Sequence, residues 1–443
     1  MGMMFLTRKL VLPAILGALA LCALTFAQPP PPVVPKGIDL TKPLTLAEAV
    51  RVALANSTRI PIAANGVTKS GAQAIVARAA ELPNVTLSWQ WDRSRNVGGS
   101  GLGGGNINTS RTLLLLATQN FYQSGLRDQV RAAFASADAS RFARDDTQRL
   151  LVLSVANDYY IALATRALVD VAKRGVTASQ QHLDAALARI AAGAAAASDR
   201  YAFDVELAQA QLLVVTNQTA ADVALSNLKV EMGVRTDVNL QLADALARPD
   251  LPANVSDLTR QAYRNRPDVQ QQSALVSSAR FLVAVAEAGR GPVINANGSV
   301  GVGDFTGDSG AEWDLFLSAS MPVFDAGSSK AKVTAADADL STAEETLRQV
   351  ELNVGSEIER NYLTAAETRA AIATAETAVA SARVSRDAAA GKYAEGIGTV
   401  IDVTDAELKL IQAEADYVQA LFTYNTALAS LKASLALPPA PGL

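Results

Sequence analysis

The residues whose type and spacing most suggest a functional role are aspartates that follow a glycine. Asp402 and Asp405 stand three residues apart, a spacing that places both on one face of a helix. Asp199 and Asp204 come after Gly193 in the first half of the chain. Rings of carboxylates favour cations at a pore constriction, whereas single ones are solvated or lie near a helix N-terminus. These aspartates are therefore candidates for a site that attracts cations or, as the alternative, are surface charge, with Asp405 as a helix cap.

The sequence offers little for covalent or metal chemistry. His182 is the only histidine, and no Gly-x-Ser-x-Gly motif supplies a nucleophile for it. Beside Gln181, it is interpreted as a solvated helix residue. The glycine-rich residues 98–105 lack the Lys-Ser/Thr of a phosphate loop and are interpreted as an outward-facing loop. We predict no enzyme activity, no metal site and no cofactor.

The first 27 residues are typical of a secretory signal peptide. Arg8 and Lys9 precede an apolar stretch, and Thr25-Phe26-Ala27 provides a cleavage site. The only cysteine, Cys22, lies within this segment after Leu21, where a lipoprotein site would carry a small residue. The exported chain would then have no disulfide and no thiolate ligand.

Net charge and hydropathy exclude further classes of protein. The 443 residues carry a formal net charge of −4, which disfavours a nucleic-acid partner. No apolar run after the signal segment reaches the roughly 18 residues of a transmembrane helix. The class that remains is an exported protein without a nucleic-acid partner and without a transmembrane helix after the signal segment.

The chain contains an internal repeat. The same spacings occur in both halves, with 27 residues between Asn56 and Pro83 and between Asn265 and Pro292, and 35 between Gly125 and Tyr160 and between Gly327 and Tyr362. Such self-similarity indicates a duplicated structural unit. We divide the chain into a signal peptide (1–27), a proline-rich tether (28–43), repeat 1 (44–232), a linker (233–257), repeat 2 (258–437) and a tail (438–443).

Each repeat contains segments in which apolar and polar residues alternate. They predict β-hairpins at about 83–122 and 292–324, with strands of about 10–12 residues. This length suits a transmembrane strand. Aromatic residues within or at the ends of these strands fit a membrane-interface girdle: Trp89, Trp91, Trp313, Phe121, Tyr122 and Phe324. A soluble sheet with an aromatic core is the alternative.

Helical patterns flank each hairpin. Thr45 and Glu48 form a capping box at the first helix. Proline-free segments at about 126–192 and 328–394 predict helices roughly 100 Å long. Turns at Gly193 and Gly396 return the chain as helices of about 40 residues, which completes helical hairpins over 126–232 and 328–437. Heptad spacing predicts buried seams at Leu150, Leu153, Asn157, Tyr160, Ala164, Ala167 and Val171, and at Leu421, Tyr424, Leu428, Leu431 and Leu435.

Four strands cannot close a barrel, which needs about eight. In lipid, an open sheet would leave edge N–H and C=O groups unpaired. If the hairpins cross a membrane, several chains must therefore pool their strands, and the helical hairpins would extend from the pore as a second tube. The predicted fold class is an α+β membrane protein that forms a conduit.

The sequence resembles the TolC-like outer membrane efflux proteins. The resembling segments are 266–268 (Arg-Pro-Asp), 322–327 (Pro-Val-Phe-Asp-Ala-Gly) and 396–406 (Gly-Ile-Gly-Thr-Val-Ile-Asp-Val-Thr-Asp-Ala), and the resemblance extends over about residues 40–437. It implies a homotrimer with a 12-stranded outer-membrane β-barrel and a periplasmic α-helical tunnel. It also implies a periplasmic adaptor protein and an inner-membrane pump as partners, in a tripartite efflux or type I secretion system.

The resemblance assigns roles to residues at the far end of the tunnel. Asp402 and Asp405 match gate aspartates, and Tyr393 matches a position that helps to hold this end shut. The family often has a basic residue where this chain has Gly398. Asp199 and Asp204 both lie where a further gate acid is expected, and the turns at Gly193 and Gly396 are possible docking points for the adaptor.

Two other functions remain as alternatives. An exported coiled-coil adaptor or scaffold without a pore would have soluble hairpins and would be extracted without detergent. An outer-membrane enzyme would need a catalytic constellation. Substrate choice in the resembling systems lies largely in the pump, so the cargo is not encoded here.

Overall fold

A computed structural model describes residues 42–96, 106–251, 255–305 and 308–437. The predicted signal peptide, most of the tether, the glycine-rich loop and the tail lie outside the described residues. Within these ranges the elements are α1 (Leu46–Asn56), α2 (Arg59–Ala79), β1 (Asn84–Asn96), β2 (Asn106–Gln123), α3 (Leu126–Ala191), α4 (Asp199–Glu231), α5 (Val255–Asn265), α6 (Pro267–Ala288), β3 (Val293–Phe305), β4 (Asp308–Ser320), α7 (Ser328–Glu395) and α8 (Val400–Ser434).

Two helices followed by two strands and two helices occur twice along the chain. The long helices α3 and α7 contain 66 and 68 residues, or about 100 Å each at 1.5 Å per residue. Their return helices α4 and α8 contain 33 and 35 residues, fewer than the 40 expected. None of the described helices combines the length and the apolar composition needed to cross a bilayer.

The chain passes from sheet to long helix through left-handed glycines. Gly125 and Gly327 have φ values of +81° and +89°, a region that L side chains rarely adopt. Asp325 accepts hydrogen bonds from the backbone N–H of Gly327 (3.1 Å) and of Ser329 (2.8 Å), which satisfies free donors at the start of α7. The conformation explains why the segment 322–327 ends in Asp-Ala-Gly.

The four strands form one antiparallel sheet in the order β1-β2-β3-β4. The two predicted hairpins therefore join edge to edge, because β2 also pairs with β3. Strands β1 and β4 form the two edges of the sheet. A β-bulge lies near the end of β2, between Asn120 and Tyr122, and displaces Phe121 from the regular register.

One face of this sheet is apolar across all four strands. Directly opposed residues share a face, and the register aligns Leu87, Leu115, Val300 and Trp313 in one row. All four side chains are exposed in the single chain. The opposite face carries mainly polar residues, which include Thr86, Ser88, Gln90, Thr112, Ser299, Glu312 and Asp314.

The apolar face extends from the row of Tyr122 and Ile294 to the row of Trp91 and Arg111. Ten residues along a strand span about 33 Å at 3.3 Å per residue. In a barrel whose strands are tilted by about 40°, this length would correspond to about 25 Å along the membrane normal, the height of the apolar band of outer-membrane proteins. Tyr122 and Trp91 therefore lie at opposite ends of the band.

Two of the predicted girdle residues do not lie at the ends of the apolar face, and their place at a membrane interface stays a prediction. Trp313 is inside the band, opposite Val300. Phe324 is outside the sheet because β4 ends at Ser320, and its side chain is 89% exposed. Alternation alone could not locate the strand end, since Met321 and Val323 continue the pattern beyond it.

The helices pack through several apolar clusters. The seam predicted in α8 is confirmed, because all five of its residues are buried. The seam predicted in α3 is confirmed only in part. Ala164 and Val171 are buried, but Leu150 is 47% exposed, and the fully buried residues near it are Leu151, Val155 and Tyr159. Helix α3 contacts α1, α2, α4, α6 and α8, so its core does not follow a single two-helix stripe.

A buried arginine holds the helices α6, α7 and α8 together. Arg266 is buried and binds the carboxylates of Asp268 (2.6 Å) and Glu357 (2.8 Å) and the carbonyl of Ser434 (3.2 Å). Arg266 thereby joins the start of α6 to α7 and to the end of α8. The linker packs against repeat 1, where Leu44 forms a parallel bridge with Leu242.

Candidate functional site at the hairpin tips

The ends of the two helical hairpins that lie far from the sheet contact each other. A small apolar cluster joins α3, α4, α7 and α8 at this point, and we call it the tip cluster: Leu183, Ala186, Phe203, Tyr393 and Val403. Leu207 and Val400 pack against it from the side. The cluster brings the turn after α3 next to the turn after α7, although the sequence separates them by about 200 residues.

Tyr393, in the last turn of α7, is the centre of the tip cluster. Its ring lies edge-on to Phe203 of α4, with a centroid distance of 5.7 Å. Its hydroxyl points to Asp199 Oδ2 at 3.4 Å, which is long for an O–H···O hydrogen bond. Burial and the nearby Asp199 carboxylate raise the pKa of Tyr393, so the phenol keeps its proton and acts as a donor.

Arg189, in the last turn of α3, covers the ring of Tyr393. Its guanidinium carbon lies 4.5 Å from the ring centroid, within the range of a cation–π contact. Nη2 donates a hydrogen bond to the carbonyl of Ala194 at 3.2 Å. Nη1 is buried and has no hydrogen-bond partner among the described residues. Sequence reasoning missed Arg189 because its partner lies on the other hairpin.

The structure distinguishes the two acids of the first tip. Asp199 is the first residue of α4 and faces Tyr393. Asp204 pairs with Arg200 on its own helix at 3.3 Å, and both side chains are substantially exposed. Of the two, Asp199 is the acid that contacts the second hairpin, and Asp204 is part of a surface ion pair.

Asp402 and Asp405 lie on the exposed side of α8, with Asp402 in its first turn and Asp405 in its second. Asp402 forms a capping box with Thr399, whose backbone N–H and hydroxyl donate to Oδ2 at 3.0 and 2.7 Å. These two hydrogen bonds lower the pKa of Asp402 and keep it ionised. The N-cap of α8 is therefore Thr399, with Asp402 as the N3 residue of the capping box, whereas Asp405 was considered for a capping role.

Glycines shape both tips. Gly193 and Gly396 have φ values of +71° and +80°, so each ends its long helix in the left-handed conformation of a helix C-terminus. A Cβ atom at Gly398 would lie 3.0 Å from the backbone nitrogen of Tyr393. A side chain at 398 would thus be crowded by the end of α7.

A buried polar layer lies next to the tip cluster. Glu206 of α4 is buried and accepts a hydrogen bond from the Ser179 hydroxyl at 2.9 Å, and His182 Nδ1 is 3.3 Å away. From the second hairpin, Arg386 Nη1 lies 3.5 Å from the Glu407 carboxylate. Burial raises the pKa of Glu407, and the charge of Arg386 opposes this shift.

His182 was interpreted as solvated, and that interpretation is wrong. Only 14% of its side chain is exposed, and its ring packs 6.0 Å from Phe203. The neighbouring Gln181 is exposed, but the helix turns His182 toward α4. Among the described residues no group of three or more His, Cys, Asp and Glu side chains is arranged to hold a metal ion.

An open amphipathic sheet joined to two helices of about 100 Å is the architecture of a channel protein that combines a membrane part with a long helical extension. Residues 49–234 and 258–437 match the family described as outer membrane efflux protein. The chain belongs to this outer membrane efflux protein family. It is accordingly an outer-membrane channel of the efflux or secretion type that extends into the periplasm.

Individual relatives support the assignment. Protein CyaE of Bordetella pertussis is 25% identical over 412 residues, which cover 90% of this chain and 82% of CyaE. The probable efflux pump outer membrane protein TtgC of Pseudomonas putida is 27% identical over 303 residues, covering 65% of this chain and 61% of TtgC. The chain thus matches less than two thirds of the length of TtgC.

The fold is also that of solved channels. The open-state structure of the Neisseria gonorrhoeae MtrE outer membrane channel superposes with a TM-score of 0.77 and covers 89% of both chains. The sequence identity is 20%. At this level the likeness concerns the fold, so the roles of individual residues at the tips have to be argued from their own contacts.

Proposed function

We propose that three copies of the chain form one pore, with a 12-stranded barrel in the outer membrane and a tunnel of helical hairpins below it. The observation that carries this proposal is the exposed apolar face of an open sheet. The side chains of Leu87, Leu115 and Trp313 are 67%, 42% and 79% exposed in the single chain, and lipid would cover them in the assembled pore.

The unpaired edges of the sheet favour an assembly of several copies over a single chain. The outer sides of β1 and β4 carry backbone groups that no neighbouring strand of the described sheet pairs. Each unpaired group in hydrocarbon costs several kcal/mol. Pairing β4 of one copy with β1 of the next removes both edges and closes the sheet. Two copies would give eight strands and three would give twelve, and the resemblance to TolC-like proteins supports three.

The tip is proposed as the closable end of the tunnel. Asp402 and Asp405 lie on the exposed side of α8, where three copies would form two rings of carboxylates. Such rings favour cations and restrict the pore. The contact of Tyr393 with Asp199 would hold the two hairpins of each copy together in the closed state.

The partners follow from the same proposal. The tunnel conducts passively, so an inner-membrane pump must supply the driving force and a periplasmic adaptor must join the two. The turns at Gly193 and Gly396 are the parts of the chain that such an adaptor would reach first. The efflux assignment of TtgC is consistent with this role.

Conductance in planar bilayers tests the gate. The double variant Asp402→Asn with Asp405→Asn removes both charges, and the amide oxygen introduced at position 402 can still accept a hydrogen bond from Thr399. We expect a higher single-channel conductance and weaker block by multivalent cations. Asp237→Asn with Asp250→Asn removes the same charge from the linker, where the two acids pair with Arg235 and Arg369, and serves as the control. Unchanged conductance and block in the first variant would remove the gate role.

A further inference from the structure

We propose that Arg189 is the cation that latches the two hairpin tips together. This inference rests on the proposed closable tip and names the residue that holds it. It concerns a positioning residue, since Arg189 acts on the tip through Tyr393.

The guanidinium of Arg189 lies between the two hairpins. Arg189 is on the first hairpin, at the end of α3, and Tyr393 is on the second, at the end of α7. The guanidinium stacks on the ring at 4.5 Å, and Nη2 is 3.5 Å from where a Cβ of Gly396 would stand. Arg189 therefore contacts the ring and lies beside the turn of the opposite hairpin.

Residues of the first hairpin surround the side chain of Tyr393 on several sides. Arg189 covers one side of the ring, Phe203 meets it edge-on, and Asp199 lies at its hydroxyl. All three come from the first hairpin. A cation on the ring face and a carboxylate at the hydroxyl are both attracted to a neutral phenol, because the ring face is the negative end of the aromatic quadrupole.

The guanidinium of Arg189 is only partly hydrogen-bonded. Nη1 is buried without a hydrogen-bond partner among the described residues, which is unfavourable for a charged group unless another interaction compensates. The aromatic face supplies that compensation. Moving the hairpins apart would take the ring away from Arg189, so the contact favours the closed tip.

Arg189 also binds Ala194, so a purely local role in the first turn has to be separated from the latch. A double-mutant cycle does this. Arg189→Met and Tyr393→Leu are made singly and together in the full chain, and Tyr393→Phe is added because it keeps the ring but loses the hydroxyl contact with Asp199. Channel opening is measured in planar bilayers, and circular dichroism and melting temperature verify the fold.

A cation–π contact at a partly exposed site corresponds to about a two- to fivefold change in an equilibrium. We expect Arg189→Met to raise the open-to-closed ratio by this factor per copy, and to do so equally in the Tyr393→Phe background. In the Tyr393→Leu background the same substitution should add nothing. Arg189→Lys, which keeps the charge without the planar guanidinium, should fall between the wild type and Arg189→Met.

Two results would overturn the latch. An equal effect of Arg189→Met with and without the aromatic ring would show that the residue only supports its own turn, and the proposed gate would survive. If Tyr393→Leu itself left the open-to-closed ratio unchanged, the closable tip would fail together with the latch. The proposed pore would then still be tested separately by whether the wild-type chain conducts.

Discussion

Arginine substitutions at two adjacent positions of β2 test which side of the sheet faces lipid. Leu115 lies on the apolar face beside Leu87 and Val300, and Leu116 lies on the opposite face beside Thr86 and Ser299. Both are leucines near the middle of the apolar band, so the substitution is chemically identical. An arginine at the bilayer midplane of a barrel costs about 2–4 kcal/mol, and the cost on the inner face is small.

The proposed trimer multiplies this difference. Three copies of Leu115→Arg would cost about 6–12 kcal/mol per trimer, which is comparable with the whole stability of a typical domain. Leu116→Arg would meet Asp314 two strands away in the same row and should be nearly neutral. We therefore expect Leu115→Arg to be lost from the outer-membrane fraction and Leu116→Arg to accumulate normally.

Unfolding from lipid vesicles measures the effect directly. All three tryptophans lie in the sheet, so their fluorescence reports the membrane part without interference from the helices. The guanidinium midpoint should fall strongly for Leu115→Arg and hardly at all for Leu116→Arg. Equal destabilisation by the two variants, or a larger effect of Leu116→Arg, would refute the lipid-facing assignment.

Three further predictions concern the helical part, each measured by thermal or denaturant unfolding in detergent. Arg266→Met should cost about 2–3 kcal/mol, because it leaves Asp268 and Glu357 partly buried without their partner; no loss would show that the ion pair contributes nothing. Tyr159→Phe should cost about 1–2 kcal/mol, since the hydroxyl lies 2.7 Å from Asp244 Oδ2 and 2.8 Å from the Leu44 carbonyl; a neutral result would contradict this. Burial raises the pKa of Glu407, so its protonated form is favoured in the folded state and this stability is lost as the pH rises. Glu407→Gln should therefore raise the melting temperature at pH 7–8, and the difference should shrink toward pH 4; a constant difference would show that the carboxylate does not titrate in this way.

The periodic parts of the sequence predicted the fold closely. The long helices α3 and α7 begin and end within a few residues of the expected positions, because proline-free segments and glycines mark their ends. The capping box at Thr45 and Glu48 is present in the structure. The first part of the α3 seam was wrong because this helix packs against five others, and a heptad describes contact with one neighbour.

The tip was only partly predictable. Gly193, Gly396 and Tyr393 could be found from the sequence because they lie at the ends of long helical patterns or within a resembling segment. Arg189 and Phe203 could not, since each is one of many such residues and gains its meaning from a contact across some 200 positions. The burial of His182 was missed because its contacts with Glu206 and Phe203 come from another helix.

The mass of the detergent-solubilised protein tests the central claim most directly. Because the proposed pore joins the open sheet edges of three copies, native mass spectrometry should give a particle of three chains. A stable monomer with its hairpins folded, extracted without detergent, would contradict the account.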